Sequence, residues 1–139
     1  MEFNYRLSGI LDASKFIFEN INSKIVLFQG DLGSGKTTLI KLLCSDLGIN
    51  ENVSSPTFPI LNIYKNEKTI VYHADLYRLN DVNDLNEIGF FDIINYDDWV
   101  FIEWPDIVLD SINKPHCIIK IDVHEDNLRK LHLKKNELQ

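Results

Sequence analysis

Apolar positions along this chain follow two periods, and the switches between them set the expected elements. Ala13, Phe16, Ile17 and Ile21 fall on one helical face, and Ser8 or Asp12 is placed to cap that helix. Ile25-Val26-Leu27-Phe28 is a continuous apolar run ending at Gly30, the pattern of a strand buried on both faces of a sheet. Helical spacing returns from Thr38 to Leu47 through Leu39, Leu42, Leu43 and Leu47, and Gly48 is placed to end it. Asn52 to Pro59 reads as a loop from its Ser and Pro content. Ile60 to Tyr64 and Thr69 to Ala74 read as strands joined by a hairpin at Asn66-Glu67, and Asp81 to Ile88 as a short helix. Trp99 to Ile102 is a second buried-strand run with Glu103 at its end. Cys117 to Val123 and Leu128 to Leu133 alternate as two late strands. The expected fold is α/β, a three-layer domain with a mixed, partly parallel central sheet.

Composition narrows the function classes. The chain has 139 residues, 45% hydrophobic and 25% charged, which suits one domain over residues 1–139. The formal net charge is −7, so a phosphodiester backbone is repelled overall and direct nucleic-acid binding is not expected. Lys134-Lys135, an adjacent basic pair near the C-terminus, reads as a solvated tail. Cys44 and Cys117 are far apart and read as buried, reduced thiols. No basic start leads into an apolar run, and the longest apolar runs fall far short of the roughly 20 residues that cross a bilayer. A cytoplasmic protein with no membrane association is expected.

The turn between the first buried strand and the following helix carries the chemistry. Gly30-Asp31-Leu32-Gly33-Ser34-Gly35-Lys36-Thr37 satisfies Gly-x-x-x-x-Gly-Lys-Thr in the strand–turn–helix context that the motif requires. Glycines let the backbone come close to an anion, and the N–H groups from Leu32 to Thr37, with the start of the helix, supply positive potential. Lys36 is expected on the β/γ-phosphates and Thr37 on magnesium. A P-loop NTPase-like site for ATP or GTP with Mg²⁺ follows. A carboxylate should help hold the ion. Glu103 and Asp75 both end strands, where side chains reach the ligand crevice of an open α/β sheet, and Glu103 is preferred. His73 reads as a hydrogen-bonded core histidine before a metal ligand.

Several segments together are more specific than the phosphate loop. They are Gly30 to Leu39, Ser55-Pro56-Thr57-Phe58, His73-Ala74-Asp75-Leu76-Tyr77-Arg78-Leu79, Glu87-Ile88-Gly89-Phe90 and Ile102-Glu103-Trp104-Pro105. In this order and spacing the chain resembles the bacterial TsaE (YjeE) family, small ATPases of tRNA threonylcarbamoyladenosine biosynthesis. Asp106 stands where that family usually has Glu, and Ala74 where Phe is common. The resemblance implies that ATP is bound and hydrolysed on a complex of TsaD and TsaB, with slow turnover alone. It implies catalytic roles for Lys36 and Glu103, a catalytic or magnesium-linked role for Asp75, and nucleotide contacts from Leu32, Gly33, Ser34, Gly35, Lys36, Thr37, Thr38 and Arg129. It places Thr37 and Glu103 on magnesium, and a switch-like segment at Ser54 to Phe58. The alternatives are a small-molecule kinase and a nucleotide-gated binding module with little hydrolysis. A kinase of that kind needs lid arginines, and the arginines here are Arg6, Arg78 and Arg129.

Overall fold

In a computed structural model, residues 1–56 and 60–137 are described. Among these residues seven strands form one sheet: β1 (Glu2–Tyr5), β2 (Ile25–Gln29), β3 (Leu61–Lys65), β4 (Ile70–Asp75), β5 (Trp99–Glu103), β6 (His116–Val123) and β7 (Arg129–Asn136). The helices are α1 (Ile10–Asn20), α2 (Lys36–Asp46), α3 (Asp84–Glu87) and α4 (Phe90–Ile94), with 3-10 turns at Leu7–Gly9, Pro105–Ser111 and Glu125–Asn127. Strand order is β1-β7-β6-β2-β5-β4-β3. The four central strands run parallel; β3, β7 and β1 pair antiparallel at the flanks. The expected mixed, partly parallel α/β sheet is what forms. Among the described residues no helix is long and apolar enough to cross a membrane.

Strand alternation divides the core into two layers. Val26, Phe28, Val71 and Phe101 pack with Leu39, Ile40 and Leu43 of α2 and with Ala13 and Ile17 of α1. Ile25, Leu27, Val100 and Ile102 face the other way, onto Leu85, Phe90, Ile93 and Val108. Burial of β2 and β5 on both faces explains their unbroken apolar runs. Continuing that alternation one residue past Ile102 turns Glu103 to the α2 face, and two residues past His73 it turns Asp75 the same way.

Several local expectations need correction. No side chain caps α1: Ser8 lies in the preceding 3-10 turn, Asp12 lies inside the first helical turn, and Gly9 occupies the N-cap. The buried face of α2 is Lys36, Leu39, Ile40, Leu43 and Cys44, shifted from the expected leucine stripe; Leu42 and Leu47 are half-buried. Gly48 does end this helix, at φ 85°, with Ile49 N–H donating to the Cys44 carbonyl and Gly48 N–H to Ser45. Lys134 and Lys135 belong to β7 with exposed side chains, not to a tail. Both cysteines are free and buried, and burial pushes the Cys44 thiol up to about 12.

Candidate functional site

The turn from β2 into α2 forms the floor of a cleft. Gly30 is required there by close approach: a Cβ would stand 2.7 Å from Ser34 Oγ and 2.9 Å from the Ile121 carbonyl oxygen. Gly35 opens α2 at φ 100°, a left-handed conformation that glycine adopts without steric cost. The Ser34 N–H donates within the loop to the Asp31 carbonyl (3.1 Å), so that group is internal support, unlike the expected row of free donors. Arg129 is the first residue of β7. Its Nε donates to the Ser34 carbonyl (3.0 Å) and one terminal nitrogen to Asn127 (3.1 Å), tying the loop to the sheet.

All the sequence-predicted site residues meet in one cavity of about 480 Å³. Leu32, Gly33, Ser34, Gly35, Lys36, Thr37, Thr38, Asp75, Glu103 and Arg129 line it, with Leu7, Ser55 and Trp104. A larger cavity of about 590 Å³ lies across the loop, bordered by Gln29, Trp104 and Lys120 to Val123, but Lys36, Thr37, Asp75 and Glu103 are not among its walls. The smaller cleft is therefore the one that gathers the ammonium, the hydroxyl and both carboxylates.

Two oxygens stand at the start of α2. Thr37 Oγ1 donates to Glu103 Oε1 at 2.8 Å, and Glu103 is only 2% exposed. Asp75 pairs in register with Glu103 on the adjacent strand. Its Oδ2 accepts from Ser55 Oγ (2.8 Å) and its Oδ1 from the Tyr77 N–H (3.0 Å). These are hard oxygen donors, as magnesium prefers. The 2.8 Å between Thr37 and Glu103 oxygens is close to the roughly 2.9 Å between neighbouring ligands of an octahedral ion bound at about 2.05 Å. Among the described residues no group of three or more His, Cys, Asp or Glu forms a metal cage. An ion held by one or two side chains plus waters and phosphates needs only a hydroxyl and a carboxylate such as meet here. The residues present therefore fit magnesium.

Lys36 is 5% exposed and turns inward. Its ammonium donates to the Gly30 carbonyl and lies 3.5 Å from the centre of the Trp104 ring. Burial lowers the Lys36 pKa, and Glu103 opposes this first, then Asp75, Asp31 and Asp106. Trp104 takes a left-handed backbone conformation (φ 54°) between β5 and Pro105, and Tyr77 packs beside it with ring centres 4.8 Å apart. Neither partner of Lys36 was singled out in the sequence as its holder. Trp104 lay in the Glu-Trp-Pro segment, but its reversed backbone carries no sequence signal.

Behind Glu103 is a buried polar pair that sequence reading reached only in part. His73 is fully buried; its Nε2 lies 2.7 Å from Glu103 Oε2 and its Nδ1 3.1 Å from the Tyr64 hydroxyl. The core-histidine expectation for His73 matches this placement. Of the expected switch-like segment, Ser54, Ser55 and Pro56 are described, while Thr57 and Phe58 lie outside the described residues.

Residues 6–131 match the family model described as "Threonylcarbamoyl adenosine biosynthesis protein TsaE". The chain belongs to the TsaE family. It is 36% identical over 121 residues to the Rickettsia prowazekii tRNA threonylcarbamoyladenosine biosynthesis protein TsaE, covering 84% of this chain and 81% of that one. It is 35% identical over 115 residues to the Borreliella burgdorferi protein of the same name, covering 82% and 83%. The crystal structure of Bacillus subtilis YdiB has the same fold, with a TM-score of 0.70 at 24% identity, over 94% of this chain and 83% of that one. The family links this chain to tRNA threonylcarbamoyladenosine biosynthesis.

Proposed function

We propose that this protein binds Mg–ATP in the cleft above α2 and hydrolyses it to drive tRNA threonylcarbamoyladenosine formation. The observation that carries this reading is the Thr37–Glu103 contact at the mouth of a glycine loop bearing Lys36. A hydroxyl and a buried carboxylate meet there beside an ammonium and a helix start, the set that an ion-bridged polyphosphate needs. Bound magnesium would neutralise charge on the phosphate oxygens. The chain's own groups then have separate tasks. Lys36 exchanges the Gly30 carbonyl for phosphate oxygens. Arg129 holds the loop in shape through Ser34. Thr37 and Glu103 orient the ion, and Asp75 offers carboxylate lone pairs on the side of Ser55, where an attacking water is to be held. The terminal phosphoryl group goes to water, giving ADP, phosphate and a proton.

Turnover alone is slow in this account, because the side chain of Arg129 is engaged in holding the loop. A TsaD–TsaB complex is the partner that completes the site, by adding charge or ordering the Ser54–Ser55 segment. A cationic group supplied in trans accelerates other P-loop enzymes by about 10³–10⁵-fold. The net charge of −7 favours a protein partner over direct tRNA contact, and the setting is the cytoplasm. Calorimetry tests the binding step. Wild type should take up ATP with magnesium, and Lys36→Ala should lose a charge-assisted contact of about 1.5–3 kcal/mol, roughly ten- to hundredfold in affinity. Equal affinities would refute the proposed role of the loop.

A further inference from the structure

The buried pair behind Glu103 does more than fill space. Strand register sets Asn62 opposite His73, Tyr64 opposite Val71, and Asp75 opposite Glu103, and all the polar side chains of this group point to the α2 face. Tyr64 is 5% exposed, His73 0% and Glu103 2%. A buried polar pair of this kind is seldom the most stabilising way to fill a core, so its geometry asks for another reason.

The protons can be followed atom by atom. A Glu103 carboxylate only accepts, so the 2.7 Å contact requires His73 Nε2 to be the donor. In a neutral imidazole Nδ1 then accepts, and the Tyr64 hydroxyl at 3.1 Å is its donor. The same hydroxyl lies 3.0 Å from the Ser54 carbonyl oxygen. It carries one proton and cannot serve both acceptors. Asn62 Nδ2 borders the same point, 3.2 Å from the Tyr64 oxygen and 3.3 Å from the Ser54 carbonyl. With His73 served, Ser54 depends on Asn62 alone. With Ser54 served, the imidazole loses its Tyr64 brace and is held only through its Nε2–H on Glu103. The next residue, Ser55, holds Asp75 at 2.8 Å. The chain from Thr37 through Glu103, His73 and Tyr64 to Ser54 thus leads back to the second acidic residue of the cleft.

We propose that His73 and Tyr64 are positioning residues that fix Glu103 for the ion and, through the shared Tyr64 proton, couple its engagement to the Ser54–Ser55 segment. This rests on the reading of Thr37 and Glu103 as the magnesium site. The coupling has two ends, and each has its own variant. A glutamine amide can reproduce a histidine Nε2–H, whereas an asparagine amide falls near Nδ1. His73→Gln keeps the donor to Glu103 and breaks the link to Tyr64; His73→Asn loses the donor. Tyr64→Phe removes the shared proton and keeps the ring.

The test combines three measurements. Nitrogen NMR of the nucleotide-free protein, at a pH where the His73 imidazole is neutral, should find its proton at Nε2 and not at Nδ1. Magnesium titration of the protein with a non-hydrolysable ATP analogue should show affinity for the ion falling by about tenfold or more in His73→Asn, the usual scale for a partner of a metal ligand, and recovering in His73→Gln. Hydrogen exchange at residues 50–56 should differ between the ATP-analogue and ADP complexes of wild type, and Tyr64→Phe should erase that difference. An Nδ1–H tautomer, equal magnesium loss in both His73 variants, or wild-type exchange behaviour in Tyr64→Phe would each overturn the relay. Wild-type protein that binds no magnesium with the analogue would sink the magnesium reading instead, and the relay with it.

Discussion

Replacing Glu103 separates a carboxylate that serves an ion from one that serves the fold. In Glu103→Gln the amide oxygen can accept from His73 Nε2, and the amide N–H can donate to Thr37 Oγ1, so both contacts at 2.7 and 2.8 Å keep a partner. Each bond changes from charge-assisted to neutral, a loss of about 1 kcal/mol, while the cost of burying a carboxylate is removed. The two effects leave net stability within about 1 kcal/mol. Unfolding entropy of about 2.1 cal/mol/K per residue over 139 residues converts that to roughly 3 °C in Tm. The ion is affected more. A carboxylate and a dication about 4 Å apart attract by about 2 kcal/mol even at the dielectric of water, so magnesium binding should weaken by about thirtyfold or more. Glu103→Ala is different again. It leaves a buried His73 donor unpaired at about 1–3 kcal/mol and opens a void, lowering Tm by about 10 °C. Thermal melts, with magnesium titrations of analogue binding and of phosphate release, resolve the three proteins. Normal magnesium dependence in Glu103→Gln together with a large drop in Tm would refute the assignment and make Glu103 a structural acid.

Other perturbations test separate parts of the account. The Tyr5 hydroxyl is buried with no hydrogen-bond partner among the described residues, so Tyr5→Phe should be neutral or stabilising by about 1 kcal/mol, read as a rise of about 3 °C in Tm. Burial pushes Tyr5 up to about 12 from 10.0, with Arg129 opposing, and Cys44 up to about 12 from 9.0. A proton held more tightly in the folded state gives stability that is complete below the unfolded value and lost as pH rises through the folded one. Tm should therefore fall between about pH 9 and 12, and less steeply in Tyr5→Phe. Arg129→Ala should loosen the phosphate loop and weaken ATP binding by about fivefold, equivalent to about 1 kcal/mol, and Arg129→Lys should not restore it; calorimetry reads both.

The layout of the cleft was legible because it depends on periodicity. Alternation along Val100-Phe101-Ile102-Glu103 and Tyr72-His73-Ala74-Asp75 turns the acids toward the α2 face, and the glycine motif marks where α2 starts. What escaped notice depends on pairing and backbone reversals. β1 is a four-residue edge strand with one buried side chain, and α4 is a five-residue helix started by Gly89 at φ 72° without a polar cap. Neither is long enough to show a period. The Tyr64–His73 contact arises from the register of β3 on β4, and the Lys36–Trp104 contact from a left-handed residue after β5. Neither leaves a pattern in a single sequence.

On the proposed reading, this protein is an ATPase that turns over on a TsaD–TsaB complex. Phosphate release measured for the pure protein, and again with its cellular TsaD and TsaB counterparts added, tests it most directly, with Asp75→Ala as the control. Release should be slow alone, stimulated tenfold or more by the complex, and almost absent in Asp75→Ala. No stimulation, with multi-turnover tRNA modification undiminished when this protein is left out, would contradict it.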